Sequence, residues 1–178
     1  MWLGKLILLL LCLNSYPIFG QNKAVFALAQ RLKDQHFTAK VIRVIDGDTM
    51  EVLYEGNPIK VRLAHIDCPE KRASQPFGNA AKEALSALCF GQEVEVYSDS
   101  YDRYGRLIAV VRNNKNQNIN QEMLRLGMAW HFKRYSSDSI YAQIESEARQ
   151  QKIGLWKDPN PIPPWDWRKP KKKTAKSI

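Results

Sequence analysis

The 178 residues suffice for one domain of ordinary size with tails, and leave too little chain for two domains that each bury a core. Lysine and arginine outnumber aspartate and glutamate by 27 to 18, a net charge of +9 that points to a polyanionic partner only if the charge lies on the domain itself. It does not: Arg168, Lys169, Lys171, Lys172, Lys173 and Lys176 crowd the last eleven residues, where no acid occurs, and residues 21–167 carry only +2.

Residues 1–20 have the layout of an export signal, with one cation at Lys5, an apolar run over 6–13 and the small Gly20. The run is too short to span a bilayer as a free helix, so cleavage after Gly20 or a few residues later, with no stable membrane anchor afterwards, is the expectation. A lipid-anchored reading at Cys12 is weakened by the leucines that precede it. Export places the product in a periplasm or outside the cell. There Cys68 and Cys89 can form a bridge, although two cysteines do not make a disulfide scaffold and each has an ordinary place in a loop or on a helix face.

Residues 21–36 carry apolar positions at roughly helical spacing and read as a short lead-in. The β-branched stretch 37–45 predicts a strand, Asp46-Gly47-Asp48 a turn, 49–54 a second strand, 55–58 another turn, and 59–66 a third strand. On that third strand Val61 and Leu63 share one face and Arg62 points to the other. Pro76 opens a predicted helix with Phe77, Ala81, Ala84, Leu85 and Leu88 on one stripe, ending near Gly91. Strands are expected over 93–97 and 106–111, separated by a polar loop at 99–105. Asn118 or Asn120 caps a short helix closed by Gly127, residues 128–132 are extended, and Ser136, Ser137 or Asp138 caps a last helix that ends before Gly154. Residues 158–178 form a tail, first rich in proline and tryptophan and then basic; Trp165 and Trp167 either fold back on the domain or offer a stacking surface. This order of elements fits an antiparallel five-stranded barrel with helices packed on it, and fits a two-layer α+β sandwich nearly as well.

Asp46, Asp48, Asp67 and Glu70 gather with Arg62 among the first three strands. An acid-glycine-acid turn is common in hairpins and is no evidence of a site by itself. The second acidic pair, at the far end of a strand that returns beside it, changes its standing: carboxylates brought together need a cation, and these oxygen donors suit calcium or magnesium rather than zinc. His36, His65 and His131 stand at no ligand spacing and read as packing or surface residues, which leaves Glu70 as the group able to activate water. Arg106, at the mouth of a strand, pairs with Arg62 as two guanidiniums for one phosphate, whose oxygens match the planar fork of arginine.

The motifs Val44-Ile45-Asp46-Gly47-Asp48-Thr49, Val61-Arg62-Leu63, Ile66-Asp67-Cys68-Pro69-Glu70 and Asp102-Arg103-Tyr104-Gly105-Arg106, in this order and spacing, closely resemble the staphylococcal nuclease (thermonuclease) family. Gly127-Met128-Ala129 and Gly154-Leu155-Trp156 extend the resemblance over about 37–156, and the domain is taken as 37–157. The resemblance implies an α+β fold, a five-stranded OB-type barrel with three packed helices, and Ca²⁺-dependent hydrolysis of DNA and RNA to 3′-phosphate ends by a monomer. It further implies that Asp48, Asp67 and the backbone carbonyl of Cys68 hold calcium, with Asp46 in support. Glu70 then matches the general base, Arg62 and Arg106 the phosphate-binding arginines, Arg103 and Tyr104 the neighbours of a terminal phosphate, and Tyr135 an aromatic beside the nucleotide. Two residues depart from the family pattern: Cys68 stands where Thr or Ala is more usual, and Lys133 where a second nucleotide-side tyrosine is expected. The rival reading is an exported barrel that binds nucleic acid without cutting it; the presence of all five of Asp48, Arg62, Asp67, Glu70 and Arg106 argues against it.

Overall fold

Five strands close on themselves in the order β1-β2-β3-β6-β5. The computed structural model describes residues 27–28, 30–71 and 74–170; the expected export signal with its cleavage point and the lysines beyond residue 170 lie outside the described residues. β1 (His36–Asp46) serves two neighbours: its first half pairs with β5 (Glu93–Tyr101) and its second with β2 (Thr49–Tyr54), and register shifts near Val41 and Val44 bend it between them. β3 (Asn57–Leu63) returns antiparallel to β2, and the barrel closes through a parallel pairing of β3 with β6 (Leu107–Arg112). The barrel is therefore mixed rather than purely antiparallel, and closure leaves no free edge among its strands. Alternating residues such as Val52, Ile59, Val61, Leu107 and Val111 fill the interior with no exposed surface.

Three helices pack on the barrel as expected. α1 (Gly78–Cys89) buries Gly78, Ala81, Leu85 and Cys89 along one stripe. It begins later than Pro76: Phe77 sits in the left-handed region with φ 67° and leaves the helix stripe to join a second cluster with Trp130, Ala148, Leu155 and Trp156. α2 (Ile119–Arg125) is capped by Asn118, whose side chain accepts from the Gln121 amide at 3.2 Å. Asn120 acts at longer range. Fully buried, it accepts from Val111 N and donates to the carbonyls of Ala64 and Ala109, all at 3.0 Å, and so ties α2 to the residue after β3 and to the middle of β6. α3 (Ser139–Gln150) is capped by Asp138.

A second, two-stranded sheet pairs β4 (Ile66–Asp67) with β7 (Trp130–His131), setting Asp67 opposite Trp130. The third predicted strand is thus split by a turn at His65, which takes φ 67°. β5 runs on to Tyr101, so the polar loop before β6 is shorter than its composition suggests. Leu28 and Leu32 of the lead-in join the core, and Cys68 and Cys89 are both buried free thiols, not a bridge. The tail does fold back: after a 3-10 turn (Gly154–Lys157), a fourth helix α4 (Pro164–Trp167) stacks Trp165 on Phe132 with centroids 5.4 Å apart.

Candidate active site

The turn between β1 and β2 is packed rather than free. A Cβ on Gly47 would lie 2.7 Å from the Cβ of Ala81 and 2.8 Å from that of Cys68, so only glycine lets the turn press against α1 and the chain after β4. Gly47→Ala is expected to lower stability by about 1–3 kcal/mol, read as a shift in the urea midpoint, because neither neighbour is the movable end of a long side chain. The close approach places Asp48 where its Oδ2 accepts from Cys68 N at 3.1 Å while its Oδ1 accepts from the Thr49 hydroxyl at 2.9 Å. Asp46 turns back on the loop and accepts from Gly47 N at 2.9 Å.

Arg62 leaves the outer face of β3, opposite Thr49 in the ladder, and enters the acidic cluster with its side chain 12% exposed. It pairs with Asp48 Oδ2 through Nη1 and with Asp67 Oδ1 at 2.9 Å through Nη2. Burial pushes the Asp48 carboxyl up, but the charge and hydrogen bond of Arg62 outweigh burial and hold it below the usual carboxylate range. Burial, helped by the neighbouring Asp48 charge, lifts Asp67 above that range despite a hydrogen bond from Arg168. Asp46 is likewise raised, by burial and by the charges of Asp48 and Glu70. Burial and the adjacent aspartates push the Cys68 thiol well up, so it stays protonated and is no nucleophile.

Glu70 is held by its backbone. Its N–H donates to Gln75 Oε1 at 3.0 Å, its carbonyl accepts from Gln75 N at 3.0 Å, and Gly78 packs so closely that a Cβ there would lie 2.8 Å from the same carbonyl. The carboxylate stands at the cleft. Across from it, Asp102 organises the turn before β6, accepting from Tyr104 N at 2.9 Å and Arg106 N at 3.1 Å while pairing with the Arg106 guanidinium at 2.7 and 2.6 Å. The remaining arm of Arg106 reaches Thr49 Oγ1 at 3.5 Å, which brings it to the residue opposite Arg62. Arg103 and Tyr104 stack beside it, with the Arg103 guanidinium 4.8 Å from the ring centre.

One cleft of about 1490 Å³ is lined by Asp46, Asp48, Arg62, Cys68, Glu70, Arg103, Tyr104, Arg106, Lys133 and Tyr135. Of the residues singled out from sequence, only Asp67 is not on its wall. It lies beneath, 1% exposed and covered by guanidiniums. Tyr135 is 70% exposed against Phe132, and Lys133 lies 3.8 Å from Glu145. The structure adds Gln75 and Arg168, which stand outside the quoted motifs, and gives a role to Thr49 and Asp102, which stand inside two of them. It also joins two of the histidines that sequence spacing leaves isolated: the Ser136 hydroxyl lies 2.9 Å from both His65 Nδ1 and His131 Nε2.

Three carboxylates, Asp48, Asp67 and Glu70, pair with two guanidiniums, Arg62 and Arg168, while Asp46 bonds its own loop and Arg106 is matched by Asp102. With that last pair set aside, within this group of six side chains the carboxylates exceed the guanidiniums by two formal charges, although the wider cleft adds Arg103, Lys133, Arg134, Arg149 and Lys169. The acidic side chains here offer only oxygen donors, which fits a hard ion. Among the described residues, however, no three acid, cysteine or histidine side chains converge in one shell: Asp48 and Asp67 turn toward arginines, and Asp46 turns back on its own loop.

A closed barrel with carboxylates and arginines gathered in one cleft is the architecture of a domain that handles phosphodiesters. The family model described as staphylococcal nuclease homologue matches residues 60–158. An uncharacterized endonuclease of Haemophilus influenzae is 46% identical over 149 residues, covering 83% of this chain and 82% of the relative. A micrococcal nuclease of Shigella flexneri is 42% identical over 146 residues, covering 76% and 83%. The staphylococcal-like nuclease CAN1 of Arabidopsis thaliana is 36% identical over 130 residues, covering 73% of this chain and 39% of its own. The chain belongs to the staphylococcal nuclease family, and the activity that family and relatives support is that of a nuclease.

Proposed function

We propose that the protein is an exported, monomeric, Ca²⁺-dependent nuclease that hydrolyses both DNA and RNA and leaves 3′-phosphate ends. The observation that carries this reading is the meeting of Asp48, Glu70, Arg62 and Arg106 on one cleft wall, from the β1–β2 turn, the loop after β4, β3 and the turn before β6. No element alone supplies both the acids and the bases that phosphodiester hydrolysis needs.

Asp48, Asp67 and the carbonyl of Cys68 would hold the ion, with Asp46 in support. When bound, Ca²⁺ supplies Lewis-acid polarisation of a phosphoryl oxygen. Glu70, fixed by Gln75, takes the proton from the attacking water. Arg62 and Arg106 donate to the non-bridging oxygens as charge builds on phosphorus, and the P–O5′ bond breaks with the 5′-oxygen taking a proton from solvent, to give a 3′-phosphate and a 5′-hydroxyl. Asp102 holds Arg106 in the required orientation by pairing with two of its nitrogens. Arg103 and Tyr104 flank a neighbouring phosphate, the exposed ring of Tyr135 stacks beside a base, and Lys133 replaces a second stacking ring with a charge for the backbone. Because both sugar types enter a cleft that grips phosphate, no discrimination against ribose is expected.

The test is digestion of single- and double-stranded DNA and of RNA by the purified protein, with calcium and with chelator, followed by end-group analysis. Cleavage of all three that stops with chelator is the expected result. Cleavage indifferent to chelator, or 5′-phosphate ends, would remove the calcium or the product assignment respectively.

A further inference from the structure

The C-terminal segment brings a cation to the acidic cluster from far along the chain. Gln75, the residue that clamps Glu70, also donates to Ile162 O at 2.7 Å and so fixes the segment where it passes the cleft. α4 follows, seated by Trp165 against Phe132 and against Trp130, the latter with ring centres 5.8 Å apart. One residue beyond the helix, Arg168 places Nη2 2.6 Å from Asp67 Oδ2 and Nη1 3.3 Å from Asp67 Oδ1, and hydrogen-bonds Glu70 Oε1.

Arg168 reaches both oxygens of Asp67 and Arg62 shares one of them, so both already face a guanidinium. The two arginines are not equally fixed. Arg62 is buried within the barrel wall and doubly paired, whereas the Arg168 side chain is 42% exposed and its tether is a four-residue helix. An ion that takes an oxygen of Asp67 therefore displaces Arg168 first, since two positive groups at contact distance repel and the weaker tether yields. We propose that Arg168 is a resident counter-ion that competes with the divalent cation for Asp67 and Glu70, so that the C-terminal segment sets the cation affinity of the site. This rests on the divalent-cation reading given above.

Lys169 provides an internal control. It adds the same charge to the same segment, but pairs with Asp166 at 2.6 Å instead of with the cluster. Competition is also reciprocal: if Arg168 weakens cation binding, the cation must loosen Arg168 and the turn that carries it by the same factor. The amides that report this are Trp167 N and Arg168 N, which donate to Pro163 O and Pro164 O at 3.0 Å each.

The experiment is calorimetric titration of the protein with calcium chloride in the absence of nucleic acid, for the native chain, Arg168→Gln and Lys169→Gln, with melting curves to establish folding. Arg168→Gln is expected to lower the Kd about three- to tenfold, the range of a partly exposed charge pair with good hydrogen bonds, and Lys169→Gln about twofold or less. In the native protein, hydrogen exchange at Trp167 and Arg168 should quicken when calcium is added. An unchanged or raised Kd in Arg168→Gln, an equal fall in Lys169→Gln, or exchange indifferent to calcium overturns the proposal. Calcium binding of equal strength in all three proteins overturns it while leaving the cation reading intact, whereas no binding in any of them removes both.

Discussion

If the protein is the calcium-dependent nuclease proposed above, Arg106→Ala is expected to lower the rate of DNA cleavage at saturating calcium by about 10²–10³-fold, the loss that follows removal of one preorganised donor from a site of developing charge. The structure gives reasons for the direction and for the size. Asp102 occupies one edge of the guanidinium and leaves the Nη1 arm facing Thr49 in the cleft, so the donor is aimed before substrate arrives and needs no reorganisation during reaction. Alanine removes that arm without leaving a buried charge unpaired, because Asp102 keeps its hydrogen bonds from Tyr104 N and Arg106 N. Steady-state kinetics on a defined oligonucleotide should place the loss in kcat, with KM changed little, and the melting temperature should stay near that of the native protein. A loss confined to KM would make Arg106 a ground-state binder; near-full activity would remove it from the reaction.

Arg62→Ala should act on the fold as strongly as on the chemistry. It strips the buried Asp48 of its cation and Asp67 of one of two, and removing one member of a buried charge cluster typically costs about 3–5 kcal/mol. The pH dependence is a sharper check than the magnitude. In the native protein Asp48 titrates below the usual range because Arg62 outweighs burial, so its contribution is complete above about pH 4 and fades as pH falls through its folded value. Without Arg62 burial dominates, the folded state holds protons more tightly than the unfolded one, and the variant loses stability as pH rises through that range. The deficit relative to the native protein is therefore largest at pH 7 and shrinks toward pH 4. Urea unfolding in the presence of chelator at both pH values measures it; a deficit below about 1 kcal/mol at pH 7, or one that grows on acidification, would show that the cluster is not held by Arg62.

The first three strands, the capped helices and the acid- and arginine-bearing turns are readable from the chain because the physics that makes them is local. Alternation of β-branched residues over 37–66 marks the strands, and the chemistry of aspartate and glycine marks the turns where Asp46, Asp48, Asp102 and Arg106 stand. Local pattern also places Arg62 on the face opposite Val61 and Leu63, which is where it is found. Phe77 shows the limit: its spacing matches the α1 stripe, but a left-handed turn at Phe77, beside the close packing of Gly78 on Glu70, sends it to a different cluster.

Everything that depends on which distant segments meet was decided by tertiary structure. The parallel closure of β3 on β6, and the pairing of β4 with β7 that sinks Asp67 below the cleft, have no local signature. The Ser136 hydroxyl joins His65 to His131 only because that small sheet forms beside it. Counting charges assigns Arg168 to a basic tail, and charge alone cannot say otherwise, since a guanidinium has no preferred partner until the chain brings one near. The docking of Trp165 on Phe132 and Trp130 does so, and carries Arg168 across 101 positions of sequence to Asp67.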